Sequence, residues 1–136
     1  MKEILPVLLT AGMGMRLGNQ NQALPKALLK INGKHLISYQ LEKLQALGFQ
    51  KALLVVGFKQ SLIKKVIGNN FHGMTIHYVL NEKFSNSGTA YSCYKAKDFW
   101  DEDKNSILML HTDLFYDLDI LDNLITALNN KNDQIK

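Results

Sequence analysis

A loop near the N-terminus holds residue types that bind phosphate groups. Gly12 and Gly14 precede Arg16, the only arginine in the chain, and Lys26 follows directly after Pro25. Glycines let backbone N–H groups approach phosphate oxygens without a Cβ in the way. The arginine guanidinium offers those oxygens a planar fork of donors, and the proline stiffens the backbone before the lysine. The pattern predicts a phosphate-binding loop.

The spacing of the glycines separates this loop from the two commonest phosphate-binding loops. A dinucleotide fingerprint would need glycine at position 17, where the chain has Leu17. A P-loop would end in Gly-Lys followed by Ser or Thr, and no such sequence is present. The alternative explanation is that Arg16 is an ordinary solvated cation and that Pro25-Lys26 is a chance pair. Their occurrence together with the glycines favours phosphate binding.

A carboxylate follows the fourth apolar run of the chain, at Asp113. Ligands of open α/β sheets bind at the carboxyl ends of the strands, and Mg²⁺ is held by one or two carboxylates together with substrate phosphates. Asp119 is typical of a helix start, whereas Asp117 fits either role. His111 is one of four scattered histidines without metal-ligand spacing, which favours a structural role over a zinc site.

A second candidate contact region follows a polar segment that begins at Asn81. Gly88 and Thr89 open a helical pattern there, and their small size would let a flat base lie against the backbone. From spacing alone, an N-terminal helix cap explains them better. Asn81 is a weaker candidate for contact with a base edge.

The elements that must position these residues alternate between two periodicities. Apolar runs predict strands, and segments of helical spacing predict helices; the strands are 4–9, 52–56, 74–80 and 107–110, and the helices are 36–47, 60–67, 88–100 and 118–128. This order predicts an α/β fold, Rossmann-like, with three α/β/α layers and a mostly parallel sheet.

Local signals refine this outline. Pro6 is awkward in a central strand, so we expect its missing N–H to fall at a bulge or near the strand's start. Asn32-Gly33 predicts a turn, the segment 27–31 an extended piece, and Gly48 a helix C-terminus. The aromatic residues of the third helix are expected to pack in the core; they are Tyr91, Tyr94, Phe99 and Trp100.

Composition narrows the class of protein. The 136 residues suit one domain, 1–136, and the 46% of hydrophobic residues suits a globular core. The net charge of +4 comes without a block of like charges, so no nucleic-acid partner is indicated. Cys93 is the only cysteine, which excludes an internal disulfide and favours the cytoplasm. No apolar stretch approaches the roughly 20 residues that span a bilayer, so no membrane is expected.

The phosphate-loop segments together resemble the signature of the nucleotidyltransferase superfamily of sugar-1-phosphate and phosphocholine-type enzymes. The resemblance rests on Leu9-Thr10-Ala11-Gly12-Met13-Gly14-Met15-Arg16-Leu17 and Leu24-Pro25-Lys26-Ala27-Leu28, continues through Ile31-Asn32-Gly33-Lys34-His35-Leu36-Ile37, and covers nearly the whole chain. The segment Tyr91-Ser92-Cys93-Tyr94-Lys95-Ala96 is most similar to the phosphocholine cytidylyltransferase branch.

The resemblance implies a Mg²⁺-dependent transfer of a nucleoside monophosphate from a triphosphate, with CTP or UTP favoured, to a phosphorylated small molecule. It implies catalytic roles for Arg16 and Lys26, a metal ligand at Asp113, and nucleotide contacts from Leu9, Thr10, Ala11, Gly12, Gly14, Arg16, Lys26, Asn81, Gly88 and Thr89. Domains of this family are longer, so the acceptor-binding C-terminal part is expected to be absent. The alternative is a non-catalytic nucleotide-binding module or a fragment without an acceptor site, and an oligomer is compatible with either.

Overall fold

Strands and helices alternate along the chain in the computed structural model, which describes residues 3–10, 24–83, 89–99, 104–111 and 123–127. The strands are β1 (Glu3–Leu9), β2 (Lys30–Ile31), β3 (Lys34–His35), β4 (Lys51–Val56), β5 (Asn70–Phe71), β6 (Met74–Leu80) and β7 (Asn105–His111). The helices are α1 (Leu36–Ala46), α2 (Gln60–Ile67) and α3 (Thr89–Ala96), with 3-10 turns at Lys26–Leu28 and Lys97–Phe99 and helical residues at 123–127.

Five strands form one sheet in the order β5-β6-β4-β1-β7. Strands β6, β4, β1 and β7 run parallel, and only β5 is antiparallel to its neighbour. Leu9 at the end of β1 pairs with Val55 on one side and with His111 on the other. The chain passes from β1 first to β4 and later to β7 on the opposite side, so the strand order reverses at β1. Open α/β sheets bind ligands outside the carboxyl ends of the strands at such a reversal.

Pro6 is the fourth of the seven residues of β1, which has a neighbouring strand on each side. The N–H of Thr10 points toward β4, where it donates to the carbonyl of Val55. Because N–H directions alternate along a strand, the nitrogen of Pro6 faces β4 as well. Pairing between β1 and β4 starts only at Val7. The missing N–H therefore lies just before this ladder begins. The expectation of a bulge or of a place near the strand's start was wrong, because Pro6 lies in the middle of β1 and pairs in regular register with Leu108 of β7.

Helices cover the two faces of the sheet and bury two groups of apolar side chains. The larger group joins α1 and α2 to one face and includes Ile37, Leu41 and Leu44 of α1 with Ile63 of α2, all fully buried. The smaller group includes Leu5, Val7, Leu53, Val55 and Ala96, the last of which comes from α3. This arrangement confirms the predicted three-layer α/β/α class with a mostly parallel sheet. Among the described helices, none is long and apolar enough to cross a membrane.

Two turn predictions are confirmed by the backbone. Asn32 and Gly33 both have positive φ, +54° and +78°, and they join β2 to β3 as a two-residue hairpin of the kind in which both central residues are left-handed. Gly48 follows α1 with a φ of +92°, and its N–H donates to the carbonyl of Gln45 at 3.0 Å.

Other predictions were wrong. The segment 27–31 is not extended throughout, because Lys26–Leu28 forms a 3-10 turn that buries the consecutive residues Ala27 and Leu28. The aromatic side chains of the third helix do not fill the core: Tyr94 and Phe99 are exposed, and Ala96 occupies the buried position of α3. Trp100 lies outside the described residues. Strand β5 has no counterpart in the prediction.

The last predicted helix, 118–128, is described only at 123–127. There Ile125 packs against the larger core, whereas Leu124 is exposed.

Candidate nucleotide-binding site

The carboxyl ends of the parallel strands bring several predicted site residues to one edge of the sheet. Thr10 follows β1, Asn81 follows β6, and His111 ends β7, two residues before Asp113 in the sequence. The register places Leu9 level with both Val55 and His111. Residues that follow these strands therefore start from the same level of the sheet, at the edge where ligands bind.

Thr10 determines how the chain leaves β1. Its side chain is buried, its N–H donates to the carbonyl of Val55 at 2.8 Å, and its hydroxyl donates to the same oxygen at 2.7 Å. A buried hydroxyl with its proton committed in this way is satisfied. Leu9 packs against the smaller core. Both residues thus anchor the start of the glycine loop, and their contact with nucleotide stays a prediction. Ala11, Gly12, Gly14 and Arg16 lie outside the described residues.

Lys26 begins a 3-10 turn whose backbone is well fixed. Pro25 precedes it with a φ of −53°, and the N–H of Leu28 donates to the carbonyl of Pro25 at 2.9 Å. Ala27 and Leu28 insert into the larger core, while the side chain of Lys26 is exposed. The ammonium is therefore carried on a support that is held from below by buried apolar side chains.

A hairpin supports the same turn from its other side. The Nδ1 of His35 lies 2.7 Å from the carbonyl oxygen of Leu28, which requires the Nδ1–H tautomer or the imidazolium. The N–H of Leu36 donates to the carbonyl of Leu29 at 2.8 Å, and the hydroxyl of Tyr39 donates to the carbonyl of Ile31 at 2.7 Å. Strands β2 and β3, together with α1, thus hold the segment that carries Lys26.

Asn81 is buried, and it shapes the loop that follows β6. Its N–H donates to the carbonyl of Val56 at 2.7 Å, and its Oδ1 accepts the N–H of Lys83 at 2.9 Å. This is the local side-chain to backbone bond by which asparagine directs turns. Contact between Asn81 and a base edge stays a prediction. Gly88 lies outside the described residues, and of Thr89 only the backbone is described, at the first position of α3.

Beside Asn81 lies a group of charged and aromatic side chains whose contacts were not predicted from the sequence. The hydroxyl of Tyr91 donates to Oε1 of Glu82 at 2.7 Å, and Nζ of Lys95 lies 3.2 Å from Oε2 of the same carboxylate. The Nζ of Lys83 lies 5.3 Å from the centre of the Tyr91 ring. The only sequence signal is the i, i+4 spacing of Tyr91 and Lys95, which puts both on one helix face.

These contacts change the titration of the two acidic groups. The hydrogen bond from Tyr91, a backbone hydrogen bond and the contact with Lys95 lower the pKa of Glu82 from 4.5 to about 2. The same hydrogen bond to Glu82 raises the pKa of Tyr91 above its usual 10. Glu82 is therefore a carboxylate and Tyr91 a neutral donor at neutral pH, the charge states in which their bond is strong.

The metal ligand predicted from the sequence, Asp113, lies outside the described residues. Within the described ranges, no group of three His, Cys, Asp or Glu side chains could hold a metal ion. A carboxylate two residues beyond β7 would follow the strand that pairs with β1 on the reversal side. A carboxylate is a hard oxygen donor of the kind that Mg²⁺ prefers.

The strand order and the anchored turn of Lys26 define an open α/β protein of the kind that binds ligands at the carboxyl ends of its strands. The comparison with family models is more specific, since residues 6–135 match the MobA-like NTP transferase domain. The chain belongs to this family, which confirms the resemblance seen in the sequence.

Individual relatives agree with this family. The CMP-5'-(3-aminopropyl)phosphonate synthase of Streptomyces rubellomurinus is 32% identical over 121 residues, which cover 89% of this chain and 19% of the relative. The CTP:phosphoglutamine cytidylyltransferase of Campylobacter jejuni is 27% identical over 124 residues, 89% of this chain and 48% of the relative. The solved structure of the inositol-1-phosphate CTP transferase from T. maritima is similar with a TM-score of 0.63 at 25% identity, over 80% of this chain and 43% of that chain. The chain spans less than half the length of these relatives.

Proposed function

We propose that the chain binds a nucleoside triphosphate, CTP or UTP, and forms the nucleotide-binding part of a cytoplasmic nucleotidyltransferase that acts on a phosphorylated small molecule. The observation that carries this proposal is the family match over residues 6–135, a range that includes the glycine loop, Lys26 and Asp113. The three relatives reported above are each named for CMP or CTP, whereas other relatives are named for UTP or as guanylyltransferases. The preference for CTP or UTP therefore rests on the resemblance of the sequence.

The proposed reaction is an in-line displacement at phosphorus. A phosphate or phosphonate oxygen of the acceptor attacks the α-phosphorus, the bond to the oxygen bridging the α- and β-phosphorus breaks, and pyrophosphate leaves with that oxygen. The acceptor oxygen is already anionic, so no protein nucleophile is needed. The protein's contribution is to hold the two reactants in line and to stabilise the charge that develops on the phosphate oxygens.

The residues of this chain divide that work. The backbone of Gly12 and Gly14 and the guanidinium of Arg16 hold the triphosphate, and the ammonium of Lys26 neutralises charge at the reacting phosphate. Asp113 would hold Mg²⁺, which supplies further neutralisation of the phosphate oxygens when bound. Gly88 and Thr89 contact the base, with a weaker contribution from Asn81.

The test combines binding with turnover. The affinities of the chain for ATP, CTP, GTP and UTP are measured calorimetrically with Mg²⁺, and pyrophosphate release is then followed for each triphosphate with phosphocholine, inositol 1-phosphate and several sugar 1-phosphates. Pyrophosphate release that depends on one acceptor supports the proposal in full. Binding of CTP or UTP without turnover on any acceptor supports the alternative, a nucleotide-binding module. Binding of none of the four refutes both.

A further inference from the structure

The loop after β6 is fixed in place before it reaches Glu82. Asn81 is buried, and it is tied to β4 through its N–H, which donates to the carbonyl of Val56 at 2.7 Å. Its side-chain oxygen then accepts the N–H of Lys83 at 2.9 Å. Glu82 lies between these two hydrogen-bonded residues, so its backbone is held close to the end of β6.

Helix α3 meets this carboxylate with two side chains at once. Tyr91 and Lys95 are four residues apart and thus lie on the same face of the helix. Tyr91 donates to Oε1 of Glu82, and Lys95 lies against Oε2. A bidentate arrangement with one partner for each oxygen restrains the orientation of the helix as well as its distance. The ammonium of Lys83 over the ring of Tyr91 adds a third contact between the loop and the helix.

The position of these contacts along α3 is informative. Ala96, the last residue of the helix, is fully buried and packs in the smaller core with Val7 and Leu53. Tyr91 is the third residue of the helix, in its first turn. Burial of Ala96 holds the C-terminal end of α3 on the sheet, and the bonds to Glu82 hold its N-terminal end to the end of β6.

We propose that Glu82, Tyr91 and Lys95 form a positioning network that fixes the N-terminal end of α3 and thereby contributes to the affinity for the base of the nucleotide, but not to the affinity for its triphosphate. The inference rests on the proposed function, in which Gly88 and Thr89 contact the base; Thr89 is the first residue of α3. None of the three side chains needs to touch the nucleotide. In the proposed function the triphosphate is bound by other residues, Arg16 and Lys26.

The separation of base from triphosphate gives the test its readout. The affinities of the full chain for CTP, UTP and inorganic triphosphate are measured by calorimetry with Mg²⁺, for the wild type and for Tyr91→Phe. This variant keeps the ring under Lys83 and removes only the hydroxyl that binds Glu82. We expect the affinity for the better of the two nucleotides to fall by about tenfold, a coupling of ordinary size, and the affinity for triphosphate to stay within about twofold of the wild type.

Two further variants distinguish positioning from a general loss of structure. Tyr94→Phe removes a hydroxyl one turn farther along the same helix, from an exposed ring, and we expect it to bind both ligands like the wild type. Glu82→Gln keeps an oxygen that accepts the bond from Tyr91 but removes the charge that attracts Lys95, so its loss of nucleotide affinity should be smaller than that of Glu82→Ala.

The outcomes separate this inference from the proposed function. Unchanged nucleotide affinity in Tyr91→Phe overturns the inference and leaves the proposed function standing. An equal loss for nucleotide and for triphosphate, or an equal loss in Tyr94→Phe, also overturns it, because a structural defect would then be the cause. Failure of the wild type to bind CTP, UTP and triphosphate overturns both.

Discussion

Two regions near the carboxyl ends of the strands, the segment with Lys26 and the N-terminal end of α3, are held in place in different ways. The segment with Lys26 is held by side chains inside the larger core and by backbone hydrogen bonds to its own turn and hairpin. The N-terminal end of α3 is held by Glu82, Tyr91 and Lys95, with side chains in contact with solvent. The segment with Lys26 is therefore part of the folding unit, whereas the N-terminal end of α3 is attached to it by a few polar contacts.

This difference has a consequence for how each side responds to substitution. Buried apolar contacts are costly to lose because a cavity remains, so changes beneath Lys26 affect the whole fold. Exposed polar contacts contribute little to the free energy of unfolding, so changes around Glu82 alter local geometry and leave the core intact. A triphosphate is common to all four nucleotides, while the base distinguishes them. In the proposed function the segment with Lys26 contacts the constant part of the ligand, and the N-terminal end of α3 contacts the variable part.

The largest effect is expected for the charge of Lys26. Lys26→Ala should lower turnover by about a thousandfold, as removal of one preorganised electrostatic group from a reacting centre does, and should leave the melting temperature near that of the wild type because the side chain is exposed. Pyrophosphate release and thermal unfolding are measured together. Lys30→Ala, an exposed lysine on β2, is the matched control. Wild-type turnover in Lys26→Ala would refute its catalytic role.

Lys26→Ala should leave stability unchanged, whereas substitution of a buried side chain in the same turn should lower it. Leu28→Ala removes a buried side chain from the larger core and should lower the free energy of unfolding by about 3 kcal/mol. Ile31→Ala, a few residues farther and 45% exposed, should cost less than about 1 kcal/mol. Urea titration measures both. If the two variants were equally stable, the turn would not be anchored through the core.

The hairpin that supports the turn allows a finer test. Gly33 has a φ of +78°, and a Cβ added there meets no atom within 4 Å, so Gly33→Ala tests backbone conformation alone. Forcing a side chain into the left-handed region should lower the free energy of unfolding by about 1–2 kcal/mol. Asn32→Gly, in the same turn with a φ of +54°, is the control and should change it by less than about 0.5 kcal/mol. A neutral Gly33→Ala would show that the hairpin adapts without strain.

The features that could be predicted from the sequence are those that depend on residues close together in the chain. Periodicity predicts an element when its own residues decide which face is buried, as in α1, where Ile37, Leu41 and Leu44 follow the helical repeat. Gly48 was also predictable, because the need for a positive φ is a local property.

Features that depend on two distant segments were not predictable in this way. The 3-10 turn at Lys26–Leu28 buries two consecutive residues in the same core, a pattern that alternation does not produce. Tyr94 and Phe99 are exposed since the tertiary packing of α3 uses Ala96, a choice that aromatic spacing does not reveal. The contact of Glu82 with Tyr91 joins residues whose proximity depends on where α3 lies relative to the end of β6.

The smallest effect is expected for acid, which protonates Glu82 beside the N-terminal end of α3. The pKa of Glu82 is about 2 in the folded chain against an ordinary 4.5, so the unfolded chain binds this proton more readily. The stabilisation by the carboxylate is therefore present above about pH 4.5 and is lost as the pH falls toward about 2. Its size is limited because the Glu82 side chain is 48% exposed and its contacts are screened by water and salt.

Glu82→Gln removes this titration and should make the free energy of unfolding depend less steeply on pH between about 4.5 and 2. Glu3→Gln, at the opposite edge of the sheet near Lys51, corrects for the loss of one surface charge. Urea titrations across this range at low ionic strength measure the slopes. Equal slopes for the wild type and Glu82→Gln would mean that the carboxylate is not held in the fold, and α3 would then be attached to the sheet through its buried Ala96 and not through Glu82.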